Sequence, residues 1–211
     1  MNTLPHITDC GLPELKAIPY GIHMCHFFLR RQDLAAALVP YFVAGLYSNE
    51  RCIWITAEPL GVEAAEAELA KAGLDTRALA RKGSLLIRDH SDWYDKSSEL
   101  NAAKTMEMWL DEERRSLEVG YSGLRITSNT SFVKPADWSA FMEYEDLVGQ
   151  EFASRRIVTL CSYVLDRRAA ADLLDVVSRH SCTLHGPDDR RWQLAPRSDL
   201  DLSNQRLNAR V

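Results

Sequence analysis

Apolar positions along the chain fall into short continuous runs that alternate with stretches of helical period. IHMCHFF (22–28), RCIWITAE (51–58), SLLIRDH (84–90), GLRITSN (123–129) and RIVTLCSYV (156–164) read as strands buried on both faces. Between the first two, Leu34, Leu38, Phe42 and Leu46 recur at four-residue spacing behind Asp33, a residue suited to the N-cap. Pro40 lies inside that helix and predicts a kink, because an interior proline costs about 3 kcal/mol. An Ala/Glu-rich helix over 61–72 is closed by Gly73, and a long helix is predicted over 98–118 with Leu100, Met106, Trp109, Leu110 and Leu117. Asp137 opens a helix whose buried side is Trp138, Phe141, Met142, Glu145 and Val148. Asp166 precedes the last helix, with Ala170, Leu173, Leu174 and Val177 inward, and CTLHG (182–186) is a short sixth strand.

This order predicts an α/β fold with a mostly parallel sheet covered by helices on both faces. The expected organisation is a Pro-punctuated lead-in over 1–19, one domain over 20–186, and a polar tail over 187–211. Ligands of such sheets bind outside the carboxyl ends of the strands. That rule points to the stretches Phe28–Asp33, Glu58–Gly61, His90–Tyr94, Ser128–Phe132 and Tyr163–Asp166.

Composition narrows the function classes. The 211 residues are 46% apolar and carry a formal charge of -5, which suits one globular domain and no broad nucleic-acid surface. The pair Arg190–Arg191 is too small a basic patch for direct nucleic-acid binding. No run is apolar enough to span a bilayer and no secretory leader is visible, so a cytoplasmic location with no membrane partner is expected. The five cysteines (Cys10, Cys25, Cys52, Cys161, Cys182) are scattered and form no CxxC, which fits reduced, buried thiols.

A strand followed by a helix invites a test for a phosphate-binding loop. That loop needs GxxxxGK[ST], because glycines let backbone N–H groups curl around phosphate and the lysine neutralises it. Here the connection is Leu29-Arg30-Arg31-Gln32-Asp33-Leu34, with no glycine, lysine, serine or threonine. Asp33 also sets a negative charge at the helix start, where phosphate would otherwise sit. No nucleotide or other cofactor is expected.

The remaining pattern resembles the KaiC branch of RecA-like ATPases. DLAAALVPYFVAGLYSNERCIWITAEP and GLDTRALARKGSLLIRDH are similar to the stretches those proteins carry after their phosphate loop, the second with a helix and a Lys-Gly turn. The chain also resembles the MEDS family, the methanogen/methylotroph DcmR sensory domain. The residues that carry this are Gly21, His23, Cys25, Phe27 and Phe28, then Gly123-Leu124-Arg125, Tyr144-Glu145, Leu160-Cys161-x-Tyr163 and His180, across about residues 20–186. After GLR the family usually shows T-G-E and then Trp, where this chain has Thr127-Ser128-Asn129 and Phe132. The resemblance implies a RecA-like fold without the phosphate loop and a sensor of small organic molecules. It also implies an output module such as a DNA-binding domain or histidine kinase. Residues 187–211 are too few for a helix-turn-helix, so signalling through a partner, a histidine kinase or transcription regulator, is expected; homo-oligomerisation stays open.

Strand alternation puts His23, Cys25 and Phe27 on one face and Met24, His26 and Phe28 on the other. Cys161 and Tyr163 come to lie beside them if the first and last core strands are neighbours. That set reads as ordinary core, as an organic-ligand pocket, or as a soft-metal site; no metal is assigned. Arg125, within an apolar strand, needs a partner, for which Glu145 is the candidate, or else contacts ligand. Glu58 sits where ATPase relatives carry a catalytic glutamate but has no phosphate to act on, and reads as a strand-end or pocket residue. His180 reads as a helix cap. Trp93, Tyr94 and Phe132 fall in loops and read as pocket, interface or packing aromatics. The leading expectation is a non-catalytic sensor with Phe28, Trp93 and Phe132 as walls and His23 or Arg125 as polar anchor. A ligand-free protein-interaction module and a residual thiol enzyme built on Cys25 or Cys161 with His23 are the competitors.

Overall fold

The computed structural model describes residues 6–94, 101–167, 169–186 and 192–197. The chain begins with a hairpin, β1 (Ile7–Leu12) and β2 (Leu15–Pro19), and then enters β3 (His23–Phe28). Only Leu29 and Arg30 separate β3 from α1 (Arg31–Tyr47), which runs as a single helix through Pro40. Asp33 sits in the first turn of α1 rather than before it. Its carboxylate accepts from the backbone N–H and the guanidinium of Arg30, so the loop is tied down by its own acid.

The alternation continues with β4 (Arg51–Thr56), α2 (Val62–Lys71), α3 (Thr76–Lys82), β5 (Leu85–Asp89) and the single turn α4 (His90–Trp93). Asp75 caps α3 by accepting from the Ala78 N–H at 2.9 Å, and Gly83 ends it in the left-handed conformation. Then come α5 (Ala102–Glu118), β6 (Leu124–Asn129), α6 (Trp138–Phe152), β7 (Ile157–Val164), α7 (Ala170–Arg179), β8 (Cys182–His185) and β9 (Gln193–Pro196). The predicted start of the α5 helix at 98–100 lies outside the described residues.

The main sheet has the order β5-β4-β6-β7-β3-β8-β9, parallel throughout except for the β8–β9 pair. The first core strand thus lies against the last, with Cys25 opposite Cys161 and Phe27 opposite Tyr163. One face packs on α1 and α2 through Met24, Phe28, Phe42, Trp54 and Leu160, and the Phe42 and Trp54 rings stack at 4.8 Å. The other packs on α5 and α6 through Ile55, Trp109, Ile126, Phe141, Val148 and Cys161. α7 is turned relative to its expected stripe: Val176 is buried and Leu174 is exposed.

Two regions without apolar period are ordered by tertiary contact. The lead-in forms the β1–β2 hairpin, which lies on α1. The tail supplies β9, a short antiparallel edge strand, and the buried Trp192. Gly11 makes the hairpin's approach to α1 feasible. It has φ +83°, and a Cβ there would stand 2.2 Å from the Pro40 carbonyl oxygen. Gly11→Ala is therefore expected to cost about 2–4 kcal/mol, combining left-handed strain with overpacking against backbone. Urea unfolding would read this; a change under about 0.5 kcal/mol, ordinary for a surface position, would contradict the close approach.

Candidate functional site

The α5/α6/α7 face of the sheet carries a buried polar cluster. β3 contributes His23, β7 contributes Cys161 and Tyr163, α6 contributes Glu145, and the residue after α7 is His180. All five are at most 5% exposed. His23 Nε2 lies 3.0 Å from Glu145 Oε2 and 3.6 Å from Cys161 Sγ. His180 Nε2 lies 3.5 Å from the same carboxylate oxygen and 3.4 Å from the Tyr163 hydroxyl. The two imidazole rings are 4.0 Å apart.

The helix ends aim these groups. His180 Nδ1 is 2.7 Å from the Val176 carbonyl, which can only accept, so Nδ1 carries the proton and Nε2 presents its lone pair to the cluster. Burial holds both imidazoles neutral, pushing His23 and His180 down to about 3, with His23 itself adding to the effect on His180. Burial also raises the Glu145 carboxyl above its usual range, against the pull of His180. The Cys161 thiol is raised by burial and then by Glu145.

Two cavities adjoin this cluster. The smaller, about 20 Å³, is lined by Tyr94, Ser128, Tyr144, Glu145 and Cys161 among others, and has room for about one water. Tyr94 stands in its wall, with its hydroxyl 3.2 Å from Ser128 Oγ. The larger, about 400 Å³, opens at the amino ends of β3 and β8. Tyr20, Ile22, Cys182 and Leu194 give it apolar walls, and Asp146, Gln150, Arg179 and Ser181 give it polar ones. Gly149 also lines it, and a Cβ on Gly149 would be 3.7 Å from His23 Nδ1. The larger cavity and the cluster therefore share one wall.

Of the residues singled out from sequence, His23, Cys161 and Tyr163 meet in the cluster. Cys25 is on the same face but turns to β8, where Sγ is 3.3 Å from Thr183 Oγ1, and burial pushes its thiol up to about 12. Trp93 and Phe132 stand at the carboxyl ends as partly buried aromatics. Trp93 lies 5.0 Å from Trp109, and Phe132 stacks on His90 at 4.4 Å. Phe28 does not join them, because its side chain faces α1 on the other side of the sheet. Glu58 is exposed, and its backbone carbonyl, rather than its carboxylate, accepts from Asn129 and Ser131.

Arg125 is also on the α1 side, and its partner is not Glu145 but Glu50, at 2.5 Å. The remaining donors go to the carbonyls of Tyr41 and Asp9 and to Thr8. The register explains this. Leu124 and Ile126 face α5 and α6, so Arg125 between them must face the other way. Glu145 is thereby left to the histidines. Sequence reasoning placed Glu145 as an ion-pair partner and His180 as a cap; the signal for a site was a glutamate on the otherwise apolar side of the α6 helix.

The family model described as "MEDS: MEthanogen/methylotroph, DcmR Sensory domain" matches residues 22–181, well over half of the chain. The chain belongs to the MEDS family. Among solved structures, this MEDS domain is similar to a crystal structure of the KaiC-like protein PH0186 from the hyperthermophilic archaeon Pyrococcus horikoshii OT3. The TM-score is 0.58 at 10% identity, covering 92% of this chain and 90% of that one, a likeness of fold. No curated protein matches the chain in sequence. Among the described residues no helix of the MEDS domain is long and apolar enough to cross a membrane.

Proposed function

We propose that this MEDS domain is a non-catalytic sensor whose ligand, a small organic molecule, occupies the 400 Å³ cavity at the amino ends of β3 and β8. The observation that carries this reading is the shared wall. A cavity of ligand size, with apolar walls and several convergent polar groups, abuts a buried cluster of titratable side chains. An apolar body would pack on Ile22, Cys182 and Leu194, and a polar end would reach Arg179, Gln150 or Ser181. Arg179 is held by Asp146 at 3.2 Å and by Asp175 at 3.3 Å, and those residues belong to α6 and α7. Ligand contact with Arg179 would shift how these two helices meet, which is a route to a partner protein. Absence of catalysis is supported by the thiols, since all five cysteines are buried and the nucleophilic thiolate is disfavoured at Cys25 and Cys161. The two-residue link between β3 and α1 likewise leaves no length for a phosphate-binding loop.

A thermal-shift screen with small alcohols, acids and haloalkanes tests the reading. A binder at a hundredfold its Kd is expected to stabilise by about 2.7 kcal/mol. Ala153→Trp, at an exposed position on the cavity wall, is expected to abolish that stabilisation while the fold persists. Stabilisation by no compound, or stabilisation undiminished by Ala153→Trp, would refute the assignment to this cavity.

A further inference from the structure

We propose that His23, Glu145, Cys161 and His180 form a binding site for a divalent transition ion of the zinc class. Their ligand atoms all lie within 4.8 Å of one another. The separations around Glu145 and His23 are 3.0, 3.5 and 3.6 Å. A tetrahedral ion with bonds of about 2.0–2.3 Å sets its ligands roughly 3.3–3.7 Å apart, so small side-chain adjustments close the site.

Three further features point the same way. First, the donor chemistry is right: two imidazoles, one thiolate and one carboxylate form a mixed N/S/O set suited to zinc or cobalt. Second, the charges cancel. A dication with one carboxylate, one thiolate and two neutral imidazoles is neutral overall, so burying it avoids the desolvation cost of a net charge. Third, the cluster buries an acid among neutral imidazoles. Glu145 Oε2, nearly fully buried, faces two imidazole nitrogens at 3.0 and 3.5 Å, and burial holds both imidazoles neutral, so the cluster itself supplies no cation to balance a carboxylate.

The outer contacts are those of a metal site. His180 donates Nδ1–H to the Val176 carbonyl, which fixes the tautomer that directs Nε2 inward. Tyr163, 3.4 Å from His180 Nε2, stands beside the site. Glu145 and Cys161 also line the 20 Å³ cavity, which leaves space beside the ion for a water. The proposal does not depend on the organic ligand or on where that ligand binds.

The full chain, purified from cells grown with added zinc, is expected to carry about one zinc per chain by elemental analysis. Replacing zinc by Co2+ should give intense visible bands of tetrahedral cobalt and a thiolate-to-cobalt charge-transfer band. Cys161→Ser should lose the charge-transfer band, while Cys52→Ser, on the far face of the sheet, should keep it. His180→Ala and Glu145→Gln should each lower zinc retention against a chelator by at least tenfold. Substoichiometric zinc together with a cobalt spectrum no different from the aqueous ion would overturn the site, leaving a proton-sharing cluster. So would a charge-transfer band that survives Cys161→Ser. The first two measurements use the unaltered protein, so a variant that fails to fold does not shield the proposal.

Discussion

Arg125→Leu is expected to destabilise the domain by about 3–5 kcal/mol, a large part of the roughly 5–15 kcal/mol that holds a protein of this kind together. The guanidinium is fully buried, and it ties four parts of the molecule together. It pairs with Glu50 ahead of β4, donates to Tyr41 on α1, reaches Asp9 and Thr8 on the hairpin, and itself projects from β6. It also lies over the Tyr41 ring, 4.6 Å from its centroid. Leucine would leave the Glu50 carboxylate buried with, among the described residues, only the Tyr20 hydroxyl to donate to it from a side chain, at 2.7 Å, and would take a donor from the Tyr41 and Asp9 carbonyls. The loss should appear as a lower urea midpoint with an unchanged slope. Adding Glu50→Gln removes the stranded charge while keeping an acceptor for Tyr20, so the double variant should recover part of the loss. A single variant within about 1 kcal/mol of the parent would show that the pair does not hold these four parts together.

Acid is expected to unfold the domain well above the pH at which its surface carboxylates titrate. His23 and His180 are held down to about 3 and His26 to about 4, each chiefly by burial, against an ordinary value of 6.5. In that window the unfolded chain binds protons that the folded chain refuses, so stability is full above 6.5 and is lost as pH falls. Each histidine contributes a slope of about 1.4 kcal/mol per pH unit once pH is well below the unfolded value. Glu145 works in the opposite sense. Its carboxyl is raised, so its own contribution is lost as pH rises, and it offsets part of the histidines' slope. The net expectation is stability that falls as pH drops below 6.5, with the three histidines setting an upper bound of about 4 kcal/mol per pH unit near pH 5. A bound cation would act in the same direction as the histidines, because an imidazole must be neutral to ligate it. Urea midpoints from about pH 7 to about pH 5 would measure the slope. A flat profile would mean that these imidazoles are not buried, and His26→Phe should remove one histidine's share of a real slope.

Much of the fold was legible because its signals are local. Continuous apolar strands, the stripe Leu34/Leu38/Phe42 and the turn glycines each act within a few residues. The six strands of the parallel core fall within a residue or two of their expected bounds. The hairpin and β9 were not legible, because they form only when α1 and β8 supply a surface and partners. The site was half legible. Alternation along β3 and the pairing of first and last strands brought His23, Cys161 and Tyr163 together in advance. Alternation also carried the answer on Arg125, since Leu124 and Ile126 must face the opposite way.

The sequence by itself determined a parallel α/β chain of the RecA type, without the residues of a phosphate-binding loop, belonging with the MEDS sensors. These depend on periodicity and on contiguous motifs, which survive being read in one dimension. Only the tertiary structure decided that Glu145 and His180, which are 35 positions apart, close on His23 and Cys161, and that Arg125 turns to Glu50. It alone placed a ligand-sized cavity, among the described residues, at the amino ends of β3 and β8. The physical reason is burial. Which charge meets which partner is settled when helices seat on the two faces of the sheet and leave each polar group the partners within its reach.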